Sequence, residues 1–177
     1  METAQPTARE ASLLMKATIL TSMIGIFIAI FLLFINIDIA IRIATVILVG
    51  VVGIISFIRH SVYFESDQVR MGWRQDHPEF QLEVGYANLT LGIWAVVAAA
   101  AGWILVCAAI LAAYGTYLLC ALLLHLSQLR AQDNRQDPAL RSRVIKSVFS
   151  TGFFVLALFA FALIAFARAG VLPSHLL

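Results

Sequence analysis

Charge is what this sequence has least of: Asp, Glu, Lys and Arg together make up 12% of its 177 residues, where soluble domains carry about a quarter. Hydrophobic residues account for 62%, more than a soluble globule can hide. A net charge of +2, with no basic stripe carrying interleaved aromatics, argues against nucleic acid as a partner. The expected partner is the lipid bilayer. Cysteine is also scarce. Cys107 and Cys120 lack a CxxC neighbour and, thirteen residues apart on one helix, point to different faces. A disulfide between them is excluded, and both read as small hydrophobes. The first apolar run has no small-residue cleavage site after it, so a retained span is expected rather than a signal peptide. No lipidation motif is present at either end.

The longest stretch without Asp, Glu, Lys or Arg runs from Val84 to Leu126. As one helix it would be about 64 Å long, roughly twice the hydrocarbon thickness of a bilayer. It must therefore double back, near Ala101 to Trp103, as two transmembrane helices. The chain reads as an all-α integral membrane bundle of five transmembrane helices, with spans at about 17–35, 41–58, 82–100, 103–127 and 145–167. A flexible arm is expected over 1–14, with Pro6 and Thr7 as a helix start, and a short tail over 170–177.

Asp38 and Arg42, four residues apart where span 2 begins, are expected to neutralise each other. The longest polar segment, 59–81, carries Tyr63, Phe64, Trp73 and Phe80 among its charges, as an interfacial helix would. Asp76 or His77 before Pro78 and Glu79, and Asp137 before Pro138, are both helix starts. With five spans, the arm, the 59–81 loop and the 129–146 linker share one side and hold ten Lys and Arg residues, leaving Arg42 and Arg168 on the other. One continuous central span would divide them six and six. The bias places the N-terminus in the cytoplasm and the C-terminus outside, in a cytoplasmic (inner) membrane.

On that topology the intramembrane polar groups gather in the cytoplasmic half: Thr18, Thr21, Ser22, Ser56, Glu83, Asn88, His125, Ser127, Ser150 and Thr151. The outer half is nearly pure hydrocarbon. That pattern argues against a simple channel and favours a pocket open to the cytoplasm. In span 3, Gly85, Asn88, Gly92, Ala95, Ala99 and Gly102 share a small-residue face expected to pack on a neighbour, with span 4 the first choice. Asn88 then meets Tyr114 or Tyr117 in a hydrogen bond, either helix-to-helix glue or part of a binding site. Asn88-Leu89-Thr90 matches a glycosylation sequon but lies within the bilayer.

Glu83 and His125 lie just inside the cytoplasmic boundary, where carboxylate and imidazole would make an acid and base pair with His60 as a further ligand or acid. The plainer reading makes Glu83 a helix-terminus charge and His125 a residue of the wet interface. A trio with His60 or His77 would suit a metal, although no metal site is called from spacing alone.

The stretch FQLEVGYANLTLG, with RHSVYFESDQVRMGW before it, resembles a family of small multi-pass prokaryotic membrane proteins of uncharacterised function. The resemblance rests on Arg59, His60, Ser66, Asp67, Gly72, Trp73, Phe80, Gln81, Glu83 and Val84, followed by Ala87, Asn88 and Leu89, with His125 on the next helix. It covers about residues 55–127. Family members carry an Asn- and Gly-rich loop after that histidine, where this chain has the charged AQDNRQDPALRSR. The resemblance implies the membrane class and adds Asp67 to the binding candidates, but names no activity and no cofactor.

Three functions remain open. The first is a non-catalytic accessory protein, or a binder of lipid or a hydrophobic small molecule, docked on a membrane partner or a second copy through the small-residue faces of spans 3 and 4. The second is a membrane enzyme acting on a lipid-soluble substrate at the cytoplasmic face through Glu83, His125 and His60. The third is a small transporter.

Overall fold

The computed structural model describes residues 7–71, 78–131 and 138–172, without the side chains of 128–144 and 147. Among the described residues all regular structure is helical: α1 (Arg9–Leu33), α2 (Ile37–Val62), α3 (Phe64–Met71), α4 (Pro78–Ala101), α5 (Ile104–Ala131) and α6 (Pro138–Arg168). All but α3 are long and apolar enough to cross a membrane. The chain does double back within 84–126. Gly102, at φ 72°, ends α4 with Gly102 N–H donating to Ala99 O and Trp103 N–H donating to Ala98 O. This is a Schellman closure, in which a residue without Cβ takes the left-handed conformation. Gly170 closes α6 with the same pair of bonds.

Helix α1 starts at Arg9, inside the segment expected to be an arm, and Ala8 at its N-cap offers no side-chain bond. Thr7 does not cap the backbone; its hydroxyl donates to the Glu10 carboxylate at 3.2 Å. Residues 1–6, 72–77, 132–137 and 173–177, with the expected caps Asp76, His77 and Asp137, lie outside the described residues. Pro78 and Pro138 do begin helices. The turn into α2 is capped by Asn36, whose Oδ1 accepts from Ile39 N–H at 3.0 Å.

Helix α2 is the centre of the bundle. Half of its apolar window is buried inside the molecule, against 22% for α1 and 33% for α4, α5 and α6. Its path is not uniformly α-helical: Thr45–Val51 and Ile58–Val62 are wound wider, with Val52 N–H reaching back five residues to Ile47 O. Such insertions re-aim the side chains that follow them. The first brings Gly50 and Gly53 against α4.

The small-residue face of α4 is used, but its partner is not α5 as the sequence suggested. A Cβ on Gly53 would stand 2.7 Å from Asn88 O, and one on Gly92 would stand 3.1 Å from Gly50 O. The glycines of α2 supply the matching hollows, so this face packs on α2. Helix α5 pairs instead with α6, where a Cβ on Gly115 would meet the Phe159 ring at 3.4 Å.

The expected Asp38–Arg42 pair is also replaced. Asp38 takes a two-pronged contact from Arg168, with Nε to Oδ1 at 2.8 Å and Nη2 to Oδ2 at 3.0 Å. Arg42 Nε donates to Ala99 O at 2.6 Å. Ala99 O, which already takes the Gly102 N–H, accepts the guanidinium through its second lone pair, and a cation at this end of α4 is favoured by the helix dipole.

Candidate functional site

The polar residues concentrate at the end of the bundle where α2 runs into α3. Tyr63 breaks the helix at φ −111°, ψ 35°, its N–H still held by Ile58 O. The chain then turns back, and the two-turn α3 folds over the end of α1, α2 and α4. Because Asp67 faces inward on α3, its carboxylate is fully buried.

Four side chains from three helices surround that carboxylate. Arg70, one turn along α3, donates from Nε and lies with Nη2 also 2.8 Å from Oδ1. Gln81 of α4 donates to Oδ2 at 3.0 Å. His60 Nδ1, from the wide turn ending α2, stands 2.9 Å from Oδ2, and Arg59 Nε stands 3.8 Å from Oδ1. Arg59 also donates from Nη1 to Met15 Sδ at 2.7 Å, which ties in α1. Beside the cluster, the Ala11 amide donates to Ser66 Oγ at 3.0 Å. Ser66 thus caps the first turn of α1 from another helix, supplying what Ala8 cannot.

The electrostatics follow from these contacts. Burial by itself would push the Asp67 carboxyl up, but the contact with His60 and the charges of Arg59 and Arg70 outweigh it and hold the group well below the usual carboxylate range. Arg59 Nη2 lies 2.9 Å from His60 Nε2. Guanidinium has donors only, so Nε2 must accept, which leaves the ring proton on Nδ1 facing Asp67. His60 in this arrangement is a neutral spacer between cation and anion, with Nε2 against Arg59 and Nδ1 2.9 Å from Asp67 but out of line for a hydrogen bond. Asp67 itself makes a poor general base. The arrangement binds three helices together, and its chemistry is that of a lock.

A second polar contact crosses the bundle deeper in. Asn88 of α4 donates from Nδ2 to Val84 O at 2.7 Å and to Tyr117 Oη at 3.1 Å, while its Oδ1 accepts from Tyr114 Oη at 3.1 Å. The two rings stack with centroids 6.1 Å apart. The hydrogen bond expected between Asn88 and one tyrosine is thus made to both. Tyr114 is 1% exposed and Asn88 2%, so neither amide nor hydroxyl is open to a ligand. Contacts of this kind inside membranes contribute about 0.6 to 2 kcal/mol.

Glu83 is exposed on α4, and His125 is half-buried on α5. Among the described residues no group of three or more His, Cys, Asp or Glu is arranged to hold a metal ion, and His77 lies outside them. Cys107 is buried, whereas Cys120 is exposed on the bundle's outer surface. The residue that sequence reasoning passed over is Gln81. Extending the Gly85, Asn88, Gly92 face back by one turn reaches Gln81, not Glu83, and Gln81 is the member of that pair which is buried.

One opening adjoins the lock. Helices α1 and α6 leave between them a groove of about 380 Å³, walled by Met23, Ile26, Phe153 and Phe154 and carrying the hydroxyls of Thr18, Ser22, Ser150 and Thr151. Met15, whose sulfur holds Arg59, lines it as well. Thr18 and Ser22 donate to Leu14 O and Thr18 O of their own helix, which leaves their oxygens as acceptors toward the groove.

A family model described as "Family of unknown function (DUF6790)" matches residues 13–170. No curated protein and no solved structure matches the chain.

Proposed function

Because the chain belongs to this family of unknown function, DUF6790, we propose its role from its own geometry: a non-catalytic membrane protein that holds the acyl chain of an amphiphile, or a like hydrophobic small molecule, between α1 and α6. The observation that carries this reading is the groove itself. It is walled by apolar side chains, lies between two helices able to cross a membrane, and so opens sideways where lipid-soluble molecules are found. Pockets for such ligands are mostly apolar with a few placed polar groups, and the four hydroxyls fit that description.

The end carrying Asp67 faces the cytoplasm on this reading, as the grouping of Lys and Arg supports. The membrane is the cytoplasmic one. Acid and base chemistry at Glu83, His125 and His60 has less support, because Glu83 is exposed while His60 is half-buried between Arg59 and Asp67.

Photo-crosslinking tests the proposal. A diazirine-bearing fatty acid, added to the protein in membranes, is expected to label α1 and α6 near Thr18, Ser22 and Thr151. Thr151→Trp, which fills the groove from a half-buried position, should cut that labelling by roughly tenfold or more through loss of the packed chain. Uniform labelling around the bundle, or labelling indifferent to Thr151→Trp, would overturn it.

A further inference from the structure

The opposite end of the bundle carries a cation whose neighbouring acid, Asp38, is bonded to another arginine. Asp38, Arg42 and Arg168 are the charged residues there among those described, and Asp38 gives both oxygens to Arg168. Arg42 reaches across from α2 to α4, with Nε on Ala99 O at 2.6 Å and Nη2 on Ala100 O at 3.4 Å. A guanidinium has five N–H donors, so these two bonds fix its plane and leave most of its donors unspent.

Beneath Arg42 runs a groove of about 320 Å³ between α2 and α4, separate from the one between α1 and α6. Ile39, Ile43 and Val46 form one wall, and Val96, Ala99 and Ala100 the other. The alanines make the hollow, since a larger residue at either position would fill it. Val46 and Val96 lie one turn deeper than Arg42 and Ala100 on their helices, so the groove descends from the charge toward the middle of the bundle. Trp103, half exposed just past the turn, is placed as an interfacial tryptophan would be. A fixed cation at headgroup depth above an apolar trough is complementary to one class of molecule.

The geometry points to a phospholipid-binding site, with the headgroup phosphate on Arg42 and one acyl chain in the groove between α2 and α4. Arg is suited to this because its fork matches two phosphate oxygens at once. The carbonyls of Ala99 and Ala100 hold the fork before the lipid arrives, so little side-chain freedom is lost on binding. The site is independent of the groove between α1 and α6 and stands or falls separately from it.

The test is lipid retention, read by native mass spectrometry on full-length protein that has been delipidated in detergent. Two probes are added: phosphatidylglycerol, and diacylglycerol with the same chains and no phosphate. The wild type should retain one phosphatidylglycerol per chain and hold diacylglycerol roughly tenfold or more weakly, the difference a charge-assisted bond makes. Arg42→Gln should bring phosphatidylglycerol down to the level of diacylglycerol. Since Arg42 also caps α4, Ala100→Phe serves as a second variant; it obstructs the trough from an exposed position and leaves the guanidinium alone. It should lower retention of both probes. Equal retention of the two probes by wild type, indifference to both variants, or a lipid-free dimer sealed through this face would each overturn the proposal.

Discussion

Asp67 decides most of what happens at its end of the molecule, because two arginines and a histidine are buried or half-buried around one carboxylate. Removing one partner from such a group leaves uncompensated charge, at a cost of about 3 to 5 kcal/mol. Asp67→Ala is therefore expected to lower the thermal midpoint in detergent sharply, whereas Glu83→Gln on the exposed face of the same α4 should hardly move it; size-exclusion chromatography after heating reads both. The pH dependence has a definite sign. A carboxyl lowered from its ordinary value near 3.8 contributes stability that is complete above that value and is lost as pH falls below it toward the folded pKa. The contribution of Asp67 should accordingly be flat from neutrality to about pH 4 and decline only below. In Asp67→Asn that acid-side decline should disappear, and an unchanged decline would mean that another carboxylate governs it. The sequence pointed to this region through Arg59, His60, Ser66 and Asp67, yet it singled out Glu83 as the partner of interest. Which of two acids or amides two residues apart turns inward depends on the face α4 presents to α2, and composition does not fix that face.

The long helices were legible because their apolar runs exceed the length of one span and because proline and glycine mark their ends. Pro78 and Pro138 start α4 and α6, and Gly102 and Gly170 close them. Pairing between helices was less legible. A stripe of small residues says that something comes close without naming the neighbour, and here the complementary hollows lie on α2, at Gly50 and Gly53, after a wide turn that no periodicity announces. Arg42 was misassigned for a related reason: its nearest acid in sequence is Asp38, but Arg168 takes both oxygens of that acid and Arg42 donates to carbonyls of α4. The crossing of α2 and α4 makes a direct prediction. Gly53→Leu places a side chain against backbone at Asn88 O, which cannot yield as a flexible side chain would. It should push the helices apart, disturb the contacts of Asn88 with Tyr114 and Tyr117, and cost about 1 to 3 kcal/mol or more. Gly152→Ala, whose Cβ would sit 3.8 Å from Leu122, is the control and should melt within a degree or two of wild type. Equal melting of both variants would show that the close crossing is not what holds α2 and α4 together.

At the scale of the whole molecule, the distribution of charge and the distribution of helices have to agree. Ten of the twelve Lys and Arg residues belong to the segments that five crossings place on one side. In the folded protein Arg59 and Arg70 are drawn into the Asp67 lock and Arg168 is neutralised by Asp38. The signal that orients a membrane protein is read from the chain as it inserts, before those pairs exist, and Lys and Arg count in it far more than acids do. Even without Arg59 and Arg70, eight basic residues stand against Arg42 and Arg168. An odd number of crossings puts the two termini on opposite sides, and on the proposed orientation the Asp67 lock is expected inside and Arg42 outside. Single cysteines at Thr7 and Val171, both exposed, in a background with Cys107 and Cys120 replaced by alanine, test this directly. A membrane-impermeant maleimide applied to intact cells with a permeabilised outer layer should label Val171→Cys and leave Thr7→Cys unmodified until the membrane is broken. Labelling of both from outside would mean an even number of crossings, and labelling of Thr7→Cys alone would invert the molecule and place Arg42 at the inner leaflet.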